Sequence, residues 1–252
     1  MPISRWMAAG VVALSMSAPA AAEPVYMPLQ LDRQWHYVTP QGEQDVETVY
    51  GLIQLQVADV SILTLAVSHT PGGPQDGLTQ FYSTLEDGTV LFHGFSRPNV
   101  GLSVLYYPPM RLVLPPLAPG AVWVDNVTAY DMFSNDVIAT LAVNWEVAEV
   151  GNVTVPAGEY LAYGIGFQAL PALSASGAAH AVRTSVAGWD VAQQHYTLTG
   201  ERLEPGVLAP VDWWAEGVGR VQYQADALYQ LVGTGVTGTR RTTWGSVKQG
   251  PR

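Results

Sequence analysis

An all-β fold is what this sequence predicts, and three observations predict it. Apolar residues recur at every second position in short runs such as Leu52-Ile-Gln-Leu-Gln-Val57, the period of a strand with one buried face. These runs are separated by Gly- and Pro-bearing turn signals, among them Pro71-Gly-Gly-Pro74 and Glu86-Asp-Gly88. Almost no segment carries the 3.6-residue spacing of an amphipathic helix. The expected architecture is an antiparallel curved sheet or incomplete β-barrel.

In chain order, Leu52–Val57 and Val60–Val67 read as strands, and Pro71–Pro74 with Asp76-Gly77 as the break after them. Leu78–Thr84 and Thr89–Phe92 form a hairpin about Asp87-Gly88, which continues the meander. Ser103–Tyr107 is a short strand that Pro108 and Pro109 are expected to close, and the five prolines of residues 108–120 read as an extended connector. Val122–Thr128 and Val137–Val150 follow, with Gly151-Asn152 expected to turn the chain into Val153–Val155. Two stretches are the most distinctive. In Val153–Tyr160, Pro156 presets a turn and Gly158 supplies a backbone tolerant of positive φ. In Trp213–Val221, Gly217 and Gly219 bracket Val218, a pattern suited to a sharp bend or bulge. Residues 169–180 are small and weakly patterned, and read as a loop, with a short helix as the alternative. Val191–Thr199 returns to strand character, Glu204-Pro-Gly206 to a turn, and Ala227–Val232 to a last strand. One domain is expected over 23–233, with a Gly- and Thr-rich tail over 234–252. Pro28-Leu29 before Trp35 and Pro116-Leu117 before Trp123 have the same spacing, so the halves 26–109 and 115–232 are candidates for a repeated β-meander.

Residues 1–22 have the pattern of a secretory signal: Arg5, an apolar run from Met7 to Met16, then Ala20-Ala-Ala22 before Glu23. Export to the periplasm or beyond is therefore expected, with no membrane span left after cleavage. The chain has no cysteine, which excludes disulfides, zinc-thiolate sites, thiol catalysis and a lipidated cysteine. Burial must then hold the fold together, and 48% hydrophobic against 13% charged residues fits that demand. Without residues 1–22 the chain loses Arg5 and no carboxylate, so 10 basic and 21 acidic residues leave a net charge of −11. Such a surface repels nucleic-acid phosphates and anionic membranes.

No chemistry-bearing motif emerges. The histidines His36, His69, His93, His180 and His195 have no metal-ligand spacing between them, and no metal or other cofactor is expected. There is no G-x-S-x-G elbow, and Gly164, Gly166, Gly217 and Gly219 precede no helix that would make a phosphate cradle. Glu86 and Asp87 are adjacent turn residues, not two carboxyls facing across a cleft. Asn126-Val-Thr128 and Asn152-Val-Thr154 match the glycosylation pattern but read as ordinary strand and turn residues. The aromatic inventory is more suggestive. Tyr106-Tyr107 and Trp213-Trp214 are adjacent pairs, so on a strand they put one ring on each face, and these four are the candidate ligand-binding residues.

Four segments in order resemble exported bacterial proteins of unknown function, the DUF3108-like group. Tyr26-Met-Pro-Leu29 with Trp35-His-Tyr37 is similar to their "PL…G…W-x-Y" opening, although Asp32-Arg-Gln34 stands where a Gly is expected. Leu117-Ala-Pro-Gly120 with Trp123 repeats that opening, Val155-Pro-Ala-Gly-Glu-Tyr160 resembles a "V-P-A-G-x-[FY]" turn, and Trp214-Ala-Glu-Gly-Val-Gly-Arg-Val221 resembles a "[YW]-A-x-G-V-G-x-V" close. The resemblance implies an all-β envelope domain like the curved, half-open barrels that bind lipids and lipoproteins. It implies no catalytic residue. The leading expectation is thus a non-enzymatic envelope protein binding an apolar ligand, lipid or protein partner on a concave face. Two alternatives stand beside it: a secreted hydrolase of envelope polysaccharide, using carboxylates drawn from Asp125, Asp131, Glu146, Glu159, Asp212 and Glu216, and a structural or assembly module pairing through exposed strand edges.

Overall fold

In a computed structural model of the chain, residues 24–73, 75–171, 212–224 and 227–236 are described. Twelve strands form in them: β1 (Arg33–Val38), β2 (Gln44–Val57), β3 (Val60–Ser68), β4 (Thr79–Thr84), β5 (Val90–Arg97), β6 (Leu102–Val113), β7 (Val122–Asp131), β8 (Val137–Val155), β9 (Gly158–Pro171), β10 (Asp212–Ala215), β11 (Gly219–Gln224) and β12 (Leu228–Val236). Each pairs antiparallel with its sequence neighbours, and β1 pairs with β12, so the expected curved sheet closes into an up-and-down barrel. The two-residue alternation decides what faces the lumen. On β7 the buried set is Trp123, Asp125, Val127 and Ala129; on β8 it is Ala139, Leu141, Val143, Trp145 and Val147. The intervening Val122 and Val124 are exposed. On these two strands the buried set is mostly apolar and the exposed set mixed. Among the described residues no helix is long and apolar enough to cross a membrane.

Two hairpins outgrow the barrel. β1 pairs with β2 only through Gln44–Thr48, and β4 pairs with β3 only through Leu65–Ser68, yet the β2–β3 ladder runs on to Val57 and Val60. The bulge at Tyr50, between the paired Val49 and Gly51, reverses which side chains face the lumen beyond it. The distal arm folds over the outside of the barrel as a result. Leu55 and Val57 there join Ala66, Phe81 and Leu105 in a second apolar cluster, with Tyr107, Tyr130 and Met132 packed against it. The β8–β9 hairpin bends at a bulge too, at Ala148, but its tip turns inward: Val155 is in the main core and the Ala157 amide donates to the Leu231 carbonyl at 2.9 Å. Tyr50 precedes Ala58 at its tip by the same number of residues as Ala148 precedes Pro156.

Several expectations change in detail. Pro108 and Pro109 do not end a strand; β6 runs through them, with a cis Tyr107–Pro108 bond. They are tolerated because the ladder to β5 jumps from Leu105 to Met110, so no amide is needed at 108 or 109. Gly151-Asn152 is not a turn either: Gly151 pairs with Ala162 and Asn152 with Leu161, and the chain reverses at Pro156-Ala157. Residues 169–171 extend β9, and β12 runs past Val232 to Val236. The segment 1–22, the strand at 191–199, the turn at 204–206, and most of the 169–180 loop and the 234–252 tail lie outside the described residues.

The turn glycines occupy conformations that side chains resist. Gly217 and Gly158 have φ of 74° and 141°. Gly219 has φ of 111°, and a Cβ there would lie 2.8 Å from the Trp35 indole nitrogen, which is itself held by a 2.7 Å bond to the Val218 carbonyl. Gly158→Val and Gly217→Val are each expected to cost about 1–3 kcal/mol from backbone strain, and Gly219→Ala to cost at least as much because Trp35 cannot move aside. Thermal melts read this, and an unchanged melting temperature in all three variants would refute it.

Candidate buried charge centre

The chemistry-bearing side chains of the barrel collect in its lumen. Asp45 and Glu47, alternating on β2, are fully buried there, and Arg220 on β11 reaches them across the interior. Arg220 points inward because of a bulge: Trp213 pairs with Gln222 and Trp214 with Arg220, which leaves Val221 as an extra residue and buries both Arg220 and Val221. The guanidinium ion-pairs with Glu47, and its Nη1 lies 3.5 Å from Asp212 Oδ2 on β10. It also lies over the Tyr223 ring, 3.8 Å from the centroid, and 5.9 Å from the ring centre of Trp214. Tyr37 on β1 donates its hydroxyl to the Arg220 carbonyl at 2.9 Å and packs edge-on against Tyr223, which stacks on Tyr229.

A second pair adjoins the first. His69, just beyond β3, lies with Nδ1 2.6 Å from Asp45 Oδ2 and Nε2 3.2 Å from the Gln80 side-chain oxygen. Both partners accept, so a doubly protonated imidazolium satisfies them together. Burial by itself lowers the affinity of His69 for its proton, but the bond and charge of Asp45, the charge of Glu47 and the Gln80 acceptor outweigh burial and raise its pKa. Asp212 is pushed up to about 7 by burial, against the opposing pull of Arg220. Burial also works against the Arg220 charge, but Glu47 and Asp212 prevail and its pKa rises. His93 on β5 is a separate case. Burial lowers it to about 4, leaving a neutral ring whose Nε2 lies 2.7 Å from the Ser83 hydroxyl. A base that weak gives a serine little activation.

The sequence candidates are dispersed by the fold. Tyr106 and Trp214 are buried in the lumen core, Tyr107 is partly buried on the outer face beneath the β2–β3 arm, and Trp213 is partly buried against the core. Tyr107 thus belongs to the outer cluster and the other three to the main core. The six carboxylates proposed for a hydrolase do not converge. Asp125 is buried, accepting from the Arg111 amide, Arg111 Nε and the Trp145 indole. Asp131 caps the β7–β8 turn through the Phe133 and Ser134 amides, Asp212 is in the lumen, Glu146 pairs with Val122 on the outer wall, and Glu159 and Glu216 are exposed at separate turns. That arrangement gives no acid and base across a cleft. Among the described residues, no three His, Asp or Glu side chains gather as metal ligands. A shallow cleft of about 260 Å³ lies over β1, β2 and β12, lined by residues including His36, Gln44 and Gly233. Sequence reasoning missed Glu47, Asp45, His69 and Arg220. The one available signal was the Asp45, Glu47, Val49 alternation, which puts two acids on the same face as a buried valine.

Two consequences are measurable. Asp212 binds its proton more tightly folded, at about 7, than unfolded, at 3.8. Its contribution to stability is therefore complete below about pH 4 and lost as pH rises towards 7. His69, raised above 6.5, acts in the same sense at higher pH, whereas His93, lowered to about 4, removes stability as pH falls below 6.5. Asp212→Asn deletes only the first of these. The melting temperature of that variant minus that of the unaltered chain is expected to climb from pH 4.5 to 7.5, and a flat difference would show that Asp212 titrates normally. Removing one partner of the lumen pair, by Glu47→Gln or Arg220→Met, is expected to cost about 3–5 kcal/mol in denaturant melts, and the Glu47→Gln/Arg220→Met double variant less than the two single costs combined. Additive costs would mean the pair is not coupled.

No protein-family model matches the chain, and no curated protein matches it. Among solved structures, similarity is found to a "putative lipoprotein" from Parabacteroides distasonis, at 11% identity and a TM-score of 0.39, over 84% of this chain and 99% of that one. It is also found to a "putative exported protein with YmcC-like fold" from Bacteroides fragilis, at 12% identity and a TM-score of 0.38, with the same coverages. At that level neither structure lends this chain a residue or a role.

Proposed function

We propose that this chain is an exported, non-enzymatic barrel that holds a partner on its outer surface and not a lipid in its lumen. The observation that carries the reading is the state of the interior. The barrel is closed, and its lumen is occupied by the aromatic core and the Arg220 centre, where a half-open barrel would present a groove. Tyr106 and Trp214, two of the four candidate binding residues, are part of that core, which favours the outer surface over the lumen. What the barrel offers instead is the distal β2–β3 arm, where Leu52 and Leu63 are 57% and 60% exposed. Their neighbourhood also holds Tyr50, at 54%. The signal-like pattern of residues 1–22 supports a periplasmic or secreted location.

A benzophenone side chain introduced at Leu63, in the chain expressed in its own envelope, is expected to give a discrete heavier product on irradiation. The same group at Thr140, exposed on the outer face of β8, is expected to give none. Absence of product at Leu63, together with stoichiometric uptake of a fluorescent fatty acid by the purified protein, would return the function to the lumen.

A further inference from the structure

We infer that the β2 edge of the distal arm receives an extended strand of a partner protein by main-chain pairing, an inference that rests on the partner-holding reading above. The first observation is that, among the described residues, no strand pairs with this edge. From Leu52 to Val57, β2 is paired with β3 on one side and with no other described strand on the other. A free edge is a row of unsatisfied amides and carbonyls that only another extended backbone matches along its length.

The second observation is that this edge lacks the usual protection. Natural edges carry charges, proline, or bulges along their length. From Gly51 to Val67 the single charged residue is Asp59, at the turn, and there is no proline. The bulge at Tyr50 lies at the base of the arm, where it sets the bend and leaves the edge beyond it regular. The edge residues Leu52–Val57 themselves carry no charge at all.

Third, the arm is held ready. Leu55 and Val57 anchor one face on Phe81 and Leu105, and the Ala58 amide donates to the Asn135 side chain at 3.0 Å. A strand fixed in its bound form loses little conformational entropy when a partner adds to it. The other face shows Leu52, Gln54 and Gln56 in alternation on β2, with Leu63 and Ser61 across the ladder. An added strand would extend that face with every second side chain, so apolar residues alternating with small polar ones fit it. Charge selects the source. A second copy of this chain brings the same negative excess and is repelled, whereas a segment with basic flanks is attracted.

The probe is a labelled synthetic peptide of alternating valine and threonine flanked by two lysines at each end, titrated against the purified protein at low salt. Saturable binding is expected, weakened about tenfold or more by N-methylation of alternate peptide amides, by glutamate flanks in place of lysine, and by Gln54→Lys with Gln56→Lys in the protein. Those two side chains are exposed, so the melting temperature is expected to hold. Failure of the lysine-flanked peptide to bind, equal binding of the N-methylated peptide, or formation of a dimer by the chain itself would each overturn the edge inference. If the cross-link from Leu63 survives in the Gln54→Lys/Gln56→Lys variant, the edge inference falls and the partner-holding reading stands; if Leu63 cross-links nothing in the unaltered chain, both fall.

Discussion

Closure is the constraint on which the rest of the structure depends. A barrel of about eight strands has an interior that ordinary side chains just fill. One of twelve strands encloses more, and close packing demands larger side chains inside it. Here the filling is aromatic. Trp35, Tyr37, Tyr106 and Tyr229 are among the largest fully buried side chains, Trp123 stacks on Trp145, and Tyr223 stacks on Tyr229. Such rings bury large areas, but each indole or phenol brings a polar group into a dry space, where it needs a partner. The wall supplies them. Trp35 donates to the Val218 carbonyl, Trp123 to the Arg111 carbonyl, Trp145 to Asp125 and Tyr37 to the Arg220 carbonyl.

Those bonds also mend the wall. The ladder between β6 and β7 ends at Tyr107 and Thr128. Beyond it the Asp125 carboxylate takes the Arg111 amide, and the Trp123 indole takes the Arg111 carbonyl, as main-chain groups would in a continuous ladder. The separation of β11 from β12 is handled alike: their pairing covers only Gln222–Gln224, and Trp35 and Tyr37 reach from β1 to the carbonyls of Val218 and Arg220. Aromatic side chains thus serve as filler and as suture. The Arg220 centre does for charge what the indoles do for hydrogen bonds, because it ties β2, β10 and β11 together through the middle of the barrel. Such a pair adds little net stability over apolar packing, yet it penalises any register that leaves one charge alone.

The legible parts of this fold were those written locally. Asp87-Gly88 made its hairpin, Pro156 and Gly158 their turn, and Val122–Thr128 and Val137–Val150 their strands, because each depends on a few adjacent residues. What stayed hidden depends on pairing. Pro108 and Pro109 look like a strand end until the skipped ladder opposite them is known, and Gly151-Asn152 looks like a turn until it is seen paired with Ala162 and Leu161. Arg220 sits in a Gly-Val-Gly-Arg-Val stretch that gives no hint of burial, since a bulge against Trp214 sets its direction. The aromatics were visible as an excess but not as a purpose. An unpaired ring on a strand face reads as a binding surface, and only closure of the sheet turns that face into an interior.

The two long hairpins show how one device yields opposite results. Each is bent by a single extra residue, Tyr50 in one and Ala148 in the other, and a bulge reverses the faces beyond it in both. What differs is the surface available after the bend. The β8–β9 tip meets β12 and inserts Val155 into the core, so its faces are spent on folding. The β2–β3 arm meets the outer wall, where Phe81 and Leu105 cover only one of its faces. Folding requires no more of it than that, and the opposite face and the outer edge carry apolar and uncharged residues that the barrel itself does not use. The difference between the two hairpins thus lies in what each tip meets after its bend, since both carry the same single-residue bulge.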